Sequence, residues 1–119
     1  MLAGSFFTIE NLVVDGNKVS ARFRLEPSHI IFGGHFPARP VMPGVCMVQM
    51  IKEVLELVLD RKTQLKSARN IKFLNVLDPN VYPEVLTEMN FILNHETVDV
   101  SAKIYLDSTV FFKMDAGFI

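Results

Sequence analysis

The sequence has no tryptophan and only one cysteine, Cys46. A single cysteine excludes an internal disulfide framework, and we interpret Cys46, which lies in an apolar segment, as a buried structural thiol. Lysine and arginine total 12 against 13 aspartates and glutamates, so the net charge is −1. That balance provides no strong field for binding nucleic acid. No metal-ligand spacing, phosphate loop or dinucleotide fingerprint is present, so we expect neither a metal nor a cofactor.

Long hydrophobic runs are also missing. The longest uncharged stretch, Pro40 to Ile51, is too short to span a bilayer, and it contains two prolines, Pro40 and Pro43. The first residues lack the basic start and apolar run of a signal peptide, so we expect a cytoplasmic protein. At 119 residues the chain is expected to be one domain, 1–119. Its 50% hydrophobic content is high for that size and predicts a further interface, most simply a homodimer.

Hydrophobic periodicity predicts an α+β fold. A helix is predicted from Gly44 to about Asp60, because apolar residues recur there at helical spacing. Its first two turns are apolar nearly all round, so the helix is expected to start buried, with Gln49 more buried than Glu53. A short helical turn is predicted in the connecting segment 27–32, which follows the second strand. Alternating residues predict strands over 6–14, 19–26, 66–77, 85–93, 98–106 and 109–118. This order suits an antiparallel sheet wrapped around one long helix.

The segment before the helix reads Gly34-His35-Phe36-Pro37-Ala38-Arg39-Pro40-Val41-Met42-Pro43-Gly44-Val45. Its prolines make a stiff, extended loop, because proline fixes φ and removes a backbone donor. Proline followed by Gly44 is a favourable helix start, where main-chain N–H groups remain unpaired. A histidine on such a loop is suited to act as a general base beside a carbonyl or oxyanion. An exposed loop histidine without function is the alternative interpretation of His35.

This segment resembles the active-site signature of the hot-dog-fold (3R)-hydroxyacyl-[acyl carrier protein] dehydratases, G-H-F-P-x-x-P-V-M-P-G-V. The resemblance extends more weakly over nearly the whole chain, including Phe73 to Pro79, where Val76 replaces a family proline. It implies a hot-dog fold with its site between two protomers. It also implies dehydration of 3-hydroxyacyl thioesters to trans-2-enoyl thioesters in fatty-acid or related acyl synthesis. The substrate would be carried by acyl carrier protein or coenzyme A.

The resemblance also implies roles for individual residues. His35 falls at the position of the base, and Gly44 at the glycine whose N–H polarises the thioester carbonyl. The family's acidic residue falls at Gln49, and Glu53 follows one helical turn later, so the two residue types look exchanged. The catalytic set is therefore predicted as His35, Gly44, Gln49 and Glu53. The other residues of the segment that we expect to bind substrate are Phe36, Pro37, Val41, Met42, Pro43 and Val45.

Three sources of the leaving-group proton stay open. Glu53, about 6 Å further along the helix axis than Gln49, could act through one bridging water. His35, once protonated, could return its proton while Gln49 only orients the hydroxyl. Gln49 and Glu53 could also form nothing more than a polar helix face.

Two rival functions also stay open on the same fold. One is a non-catalytic hot-dog subunit that binds acyl carrier protein or partners an active dehydratase, and the other is a hot-dog thioesterase. The basic side chains could meet an acidic carrier protein or simply be solvated; they are Arg39, Arg61, Lys62, Lys66 and Arg69.

Overall fold

The computed structural model describes residues 1–33 and 40–119. The proposed base His35, together with Phe36, Pro37 and Arg39, lies outside the described residues. The described elements, in chain order, are β1 (Phe7–Asp15), β2 (Lys18–Leu25), α1 (Ile30–Gly33), α2 (Gly44–Leu59), β3 (Leu65–Phe73), β4 (Glu84–Leu93), β5 (Val98–Leu106) and β6 (Thr109–Phe118). The strands form one antiparallel sheet in the order β1-β2-β4-β5-β6-β3.

The first two strands form a tight hairpin. Asp15 pairs with Lys18 across the turn, and Gly16 adopts a positive φ of 59°. Glycine takes this conformation without strain, so the sequence Asp15-Gly16-Asn17 is typical of such a hairpin turn. The turn sets the register that buries the inward residues of β2, which are Val19, Ala21, Phe23 and Leu25.

The core lies between the inward face of the sheet and α2. Four residues of the helix have no exposed surface: Met50, Ile51, Val54 and Leu55. They belong to one cluster with the buried residues of the strands, among them Val85, Ile104, Phe112 and Phe118. The order of the strands and of the long helix along the chain, the antiparallel sheet and the α+β class predicted from the periodicity are confirmed.

Three local predictions were wrong. Strand β3 ends at Phe73 rather than at residue 77, because Leu77 leaves the sheet and its carbonyl accepts the Met42 N–H at 2.8 Å. Val45 is 76% exposed although the helix start was expected to be buried all round. Glu53 is only 2% exposed whereas Gln49 is half-buried, the reverse of the expected order. The last error has a specific cause in the site described below.

Neither helix in residues 1–33 and 40–119 combines the length and the apolar character that crossing a membrane would require.

Candidate active site

The start of α2 offers main-chain donors. Pro43 caps the helix with an extended backbone (φ −65°, ψ 140°) and contributes no side-chain hydrogen bond. Its carbonyl accepts the N–H groups of Cys46 and Met47 at 3.1 and 3.3 Å. Within residues 1–33 and 40–119, the N–H groups of Gly44 and Val45 have no acceptor. These two donors stand at the positive end of the helix dipole, which favours a developing negative charge.

An apolar groove of about 310 Å³ lies beside this helix end. Met42 is 3% exposed and is fixed there, because its N–H donates to the Leu77 carbonyl at 2.8 Å. Of the residues expected to bind substrate, Val41 and Met42 line the groove, while Pro43 and the exposed Val45 do not. The other lining residues are Gly44, Met47, Phe73, Leu74, Asn75, Val76 and Leu77.

Phe73 covers one side of Gly44. A Cβ built on Gly44 would lie 2.6 Å from both Cε1 and Cζ of the Phe73 ring. The same ring lies 5.5 Å from the Phe112 ring, yet Phe73 remains 58% exposed. Only glycine therefore fits at this helix start without moving the ring.

Gly44→Ala is expected to change the free energy of unfolding by less than about 1 kcal/mol, below the usual range for overpacking. The clash is with the far end of an exposed ring, which can rotate aside, and alanine is a better helix former than glycine. Thermal unfolding of this variant measures the effect, with Gly44→Ala/Phe73→Leu as the control in which no rotation is needed. A loss above about 3 kcal/mol that Phe73→Leu relieves would show instead that the ring is held in place.

The second polar group of the site is the pair formed by Gln49 and Glu53. Both side chains lie on one face of α2, one turn apart, and Gln49 Nε2 donates to Glu53 Oε2 at 3.0 Å. The Glu53 carboxylate also accepts the Leu2 N–H at 2.8 and 3.0 Å, and the Ala3 N–H at 2.8 Å. A buried carboxylate needs such partners, and they explain why Glu53 is more buried than its charge predicted.

The N-terminal segment is shaped to present these two N–H groups. Its backbone turns at Gly4, which has a φ of 96°, and the Phe6 N–H donates to the Leu2 carbonyl at 3.0 Å. Phe6 then inserts into the core with no exposed surface. The anchor of Leu2 and Ala3 on Glu53 was missed from the sequence, because main-chain donors leave no signal in residue types.

Gln49 and Glu53 line a second depression, of about 550 Å³, near the other end of α2. Three basic side chains, Lys52, Arg61 and Lys62, stand around it. Glu56 forms part of the wall of this depression, and the Glu56 carboxylate accepts the Thr63 N–H at 2.7 Å. The structure thus brings Gln49 and Glu53 together but places Gly44 in the separate apolar groove. Gly44 does not line the depression, and neither Gln49 nor Glu53 lines the groove.

The remaining candidate groups have local roles. Burial raises the pKa of the Cys46 thiol, and Cys46 is 6% exposed, so its interpretation as a buried thiol is confirmed.

His29 Nδ1 accepts the Ile31 N–H at 3.1 Å, and the His29 ring packs edge-on against the Phe6 ring. His95 is exposed in a turn. Arg69 is paired with Asp99 at 3.1 Å, so it is already neutralised locally.

A protein-family model matches most of the chain, and curated relatives match part of it. The family model of ApeI-like proteins, described as ApeI dehydratase, matches residues 11–110. The 3-hydroxyacyl-[acyl-carrier-protein] dehydratase FabZ of Rickettsia bellii is 35% identical over 69 residues. That match covers 57% of this chain and 46% of FabZ, so the chain spans about half the length of the curated relatives it matches.

Solved structures share the fold at low identity. The dehydratase heterocomplex ApeI:P from Xenorhabdus doucetiae superposes with a TM-score of 0.75 and 16% identity, covering 94% of this chain and 96% of that chain. A sigma28-regulated virulence protein from Campylobacter jejuni has a TM-score of 0.68 and 9% identity, with 92% and 82% covered. The fold is therefore the hot-dog fold that the resemblance implied. Because the family match extends over most of the sequence, the chain belongs to the ApeI-like dehydratase family.

Proposed function

We propose that this chain catalyses the dehydration of 3-hydroxyacyl thioesters to trans-2-enoyl thioesters, with the acyl group carried by acyl carrier protein or coenzyme A. The observation that carries the proposal is the position of Gly44 at the first residue of α2. Its N–H lacks an acceptor among the described residues and lies at the head of an apolar groove. A thioester carbonyl bound to that N–H would place the acyl chain beyond C3 against apolar side chains, with the C3 hydroxyl turned toward Gln49, which follows in the same helix.

In the proposed reaction His35 takes the proton from C2 of the acyl chain. The Gly44 N–H and the helix dipole stabilise the enolate-like oxygen that forms. The C3–O bond then breaks, a double bond forms between C2 and C3, and the departing hydroxyl must gain a proton to leave as water. We assign that proton to His35, which carries it after the first step, while Gln49 orients the hydroxyl.

Glu53 acting through a bridging water is the alternative acid. Its two carboxylate oxygens already accept bonds from Leu2, Ala3 and Gln49, so a water would compete with three existing donors. For this reason we favour proton return by His35. This assignment and the roles of the other site residues are tested by the substitutions proposed below.

A non-catalytic hot-dog subunit is the second candidate function. The observation that favours it is the amide at Gln49, which does not titrate and so cannot act as an acid. Such a subunit would bind an acyl carrier protein or complete an active partner, and the Xenorhabdus doucetiae relative is itself a heterocomplex. The basic side chains Arg61, Lys62 and Lys66, together with Arg39, would suit an acidic carrier protein.

Mass spectrometry of 3-hydroxyacyl thioesters of several chain lengths, incubated with the pure protein, decides between these functions. An enoyl thioester product supports the dehydratase. A free acid identifies a thioesterase instead. If the thioester is unchanged at every chain length, the non-catalytic subunit is the remaining candidate function. A pull-down with an acyl carrier protein would then test it.

We further propose that two copies of the chain associate through the β3 side of the molecule. Strand β3 is an edge strand, because it is the last in the order of the sheet, and nearly all of its residues are exposed. An uncovered edge strand is a ready site for pairing with another chain. The exposed apolar residues on this strand and the segment that follows it are Leu65, Phe73, Leu74 and Val76.

Sedimentation equilibrium at micromolar concentration is expected to give the mass of a dimer. Leu65→Asp should shift the protein toward monomer, because it places a charge on the proposed interface. Ile92→Asp is the control, since Ile92 is exposed to a similar extent on β4, away from that edge. A stable monomer for the unsubstituted chain, or equal effects of the two substitutions, would contradict the proposed interface.

A further inference from the structure

The orientation of the Gln49 amide is fixed by its neighbour. An ionised carboxylate only accepts hydrogen bonds, so the group of Gln49 that faces Glu53 at 3.0 Å must be its NH₂. The carbonyl Oε1 therefore points away from Glu53. No donor to Oε1 exists in residues 1–33 and 40–119, and no side-chain polar atom buried within those ranges lacks a partner, so Oε1 is reached by solvent.

Glu53 is itself held in place. It is 2% exposed, and the main chain at Leu2 and Ala3 binds both of its oxygens. These donors are main-chain N–H groups, which can donate a hydrogen bond but cannot accept one. Glu53 thus cannot turn to meet Gln49 differently, and the only freedom left in the pair is the direction of the Gln49 amide.

We propose that Glu53 is a positioning residue that makes Gln49 a hydrogen-bond acceptor for the ligand. With its NH₂ committed to Glu53, Gln49 offers only Oε1, and Oε1 takes the hydrogen of the substrate's 3-hydroxyl group. This inference rests on the proposed function and adds to it a preference for a donor at C3 of the acyl chain. A C3 carbonyl, which only accepts, would face Oε1 without a hydrogen bond.

Glu53→Gln should reverse this arrangement. The single carbonyl oxygen of the new amide is needed by the N–H groups of Leu2 and Ala3, so its NH₂ is left facing Gln49. Gln49 must then rotate its amide to present Oε1 to that NH₂. Its own NH₂ would now face the ligand, and the site would change from an acceptor to a donor.

The test is calorimetric binding of two unreactive analogues, the 3-hydroxybutanoyl and 3-oxobutanoyl amides of a pantetheine derivative in which an amine replaces the thiol. The unsubstituted protein is expected to bind the hydroxy analogue about threefold to tenfold more tightly, the effect of one net hydrogen bond. In Glu53→Gln that ratio should fall to one or invert. In Gln49→Met, which keeps the length of the side chain, the ratio should be near one and should not respond to a further Glu53→Gln change.

A second measurement needs neither binding nor the Glu53 variant. In ¹⁵N-labelled protein, the side-chain NH₂ of Gln49 should exchange with solvent more slowly than that of Gln64, which is exposed and is the other glutamine of the chain. Gln49→Met identifies the signal by its loss. Equal exchange of the two amides would overturn the fixed orientation even if Glu53→Gln fails to fold.

The outcomes separate this inference from the proposed function. Equal affinities for the two analogues, in a protein that produces enoyl thioester, overturn the positioning role and leave the dehydratase intact. The same holds if Glu53→Gln keeps the ratio of the unsubstituted protein. If neither analogue binds and no turnover occurs, the proposed function and this inference are both wrong.

Discussion

His35→Ala is expected to abolish dehydratase turnover, with a loss of at least about 10²–10⁴-fold, the usual contribution of a positioned acid or base. In the proposed reaction the same histidine removes the C2 proton and returns it to the departing hydroxyl, so two steps lose their proton carrier. Thermal unfolding should barely change, since the proline-rich sequence around His35 predicts a loop and a loop histidine contributes little to a core. Steady-state formation of the enoyl thioester measures the first effect and a melting curve the second.

His95→Ala is the matched control for this substitution. His95 is exposed in the turn between β4 and β5 and lines neither the apolar groove at Gly44 nor the depression at Gln49 and Glu53. Its replacement should leave turnover unchanged. Turnover that persists in His35→Ala would remove His35 from the mechanism, and equal losses in the two variants would indicate a general effect on the protein.

The elements of the fold could be predicted because each follows from a local pattern. Alternating residues give β2 and β5, the Asp-Gly-Asn turn gives the first hairpin, and the apolar repeat of α2 begins at the glycine where the helix starts. The error at β3 arises from a contact distant in sequence. Residues 74–77 are apolar enough for a strand, but Leu77 leaves the sheet to accept the Met42 N–H.

The site was predicted only in part, for a similar reason. The position of Gly44 follows from the proline-rich segment, but the Phe73 ring above it comes from the edge strand. The exchange of residue types at Gln49 and Glu53 was visible in the sequence. Its consequence was not, because the partners of Glu53 are main-chain N–H groups at the other end of the chain. Residue types do not encode such partners.

Gln49→Glu is expected to raise turnover, by up to about 10²–10⁴-fold if the missing acid limits the rate. The new carboxyl would take the place of an amide that lies 3.0 Å from Glu53 Oε2. Two carboxylates so close cannot both ionise without repulsion, so the pair would retain one proton and the pKa of one carboxyl would rise. A carboxyl that keeps its proton near neutral pH is suited to protonate the departing hydroxyl.

The same change should make stability depend on pH. Because the folded state would raise the pKa of one carboxyl above its unfolded value, it would bind the proton more tightly than the unfolded chain does. Stability should therefore be retained at acidic pH and lost as pH rises through the raised pKa. The melting temperature of Gln49→Glu, compared with the unsubstituted protein between about pH 5 and 8, measures this loss.

The exchanged double variant, Gln49→Glu/Glu53→Gln, identifies the origin of any gain. It leaves one carboxylate and one amide, now in the order common in the resembled family, and so removes the repulsion and its pH-dependent loss of stability. A gain in turnover that survives in the double variant means that a carboxyl at position 49 is sufficient. A gain confined to the single variant means that the shared proton is required. If neither variant forms enoyl thioester at any pH, and the unsubstituted chain forms none on several acyl lengths, the dehydratase proposal is wrong and the non-catalytic subunit replaces it.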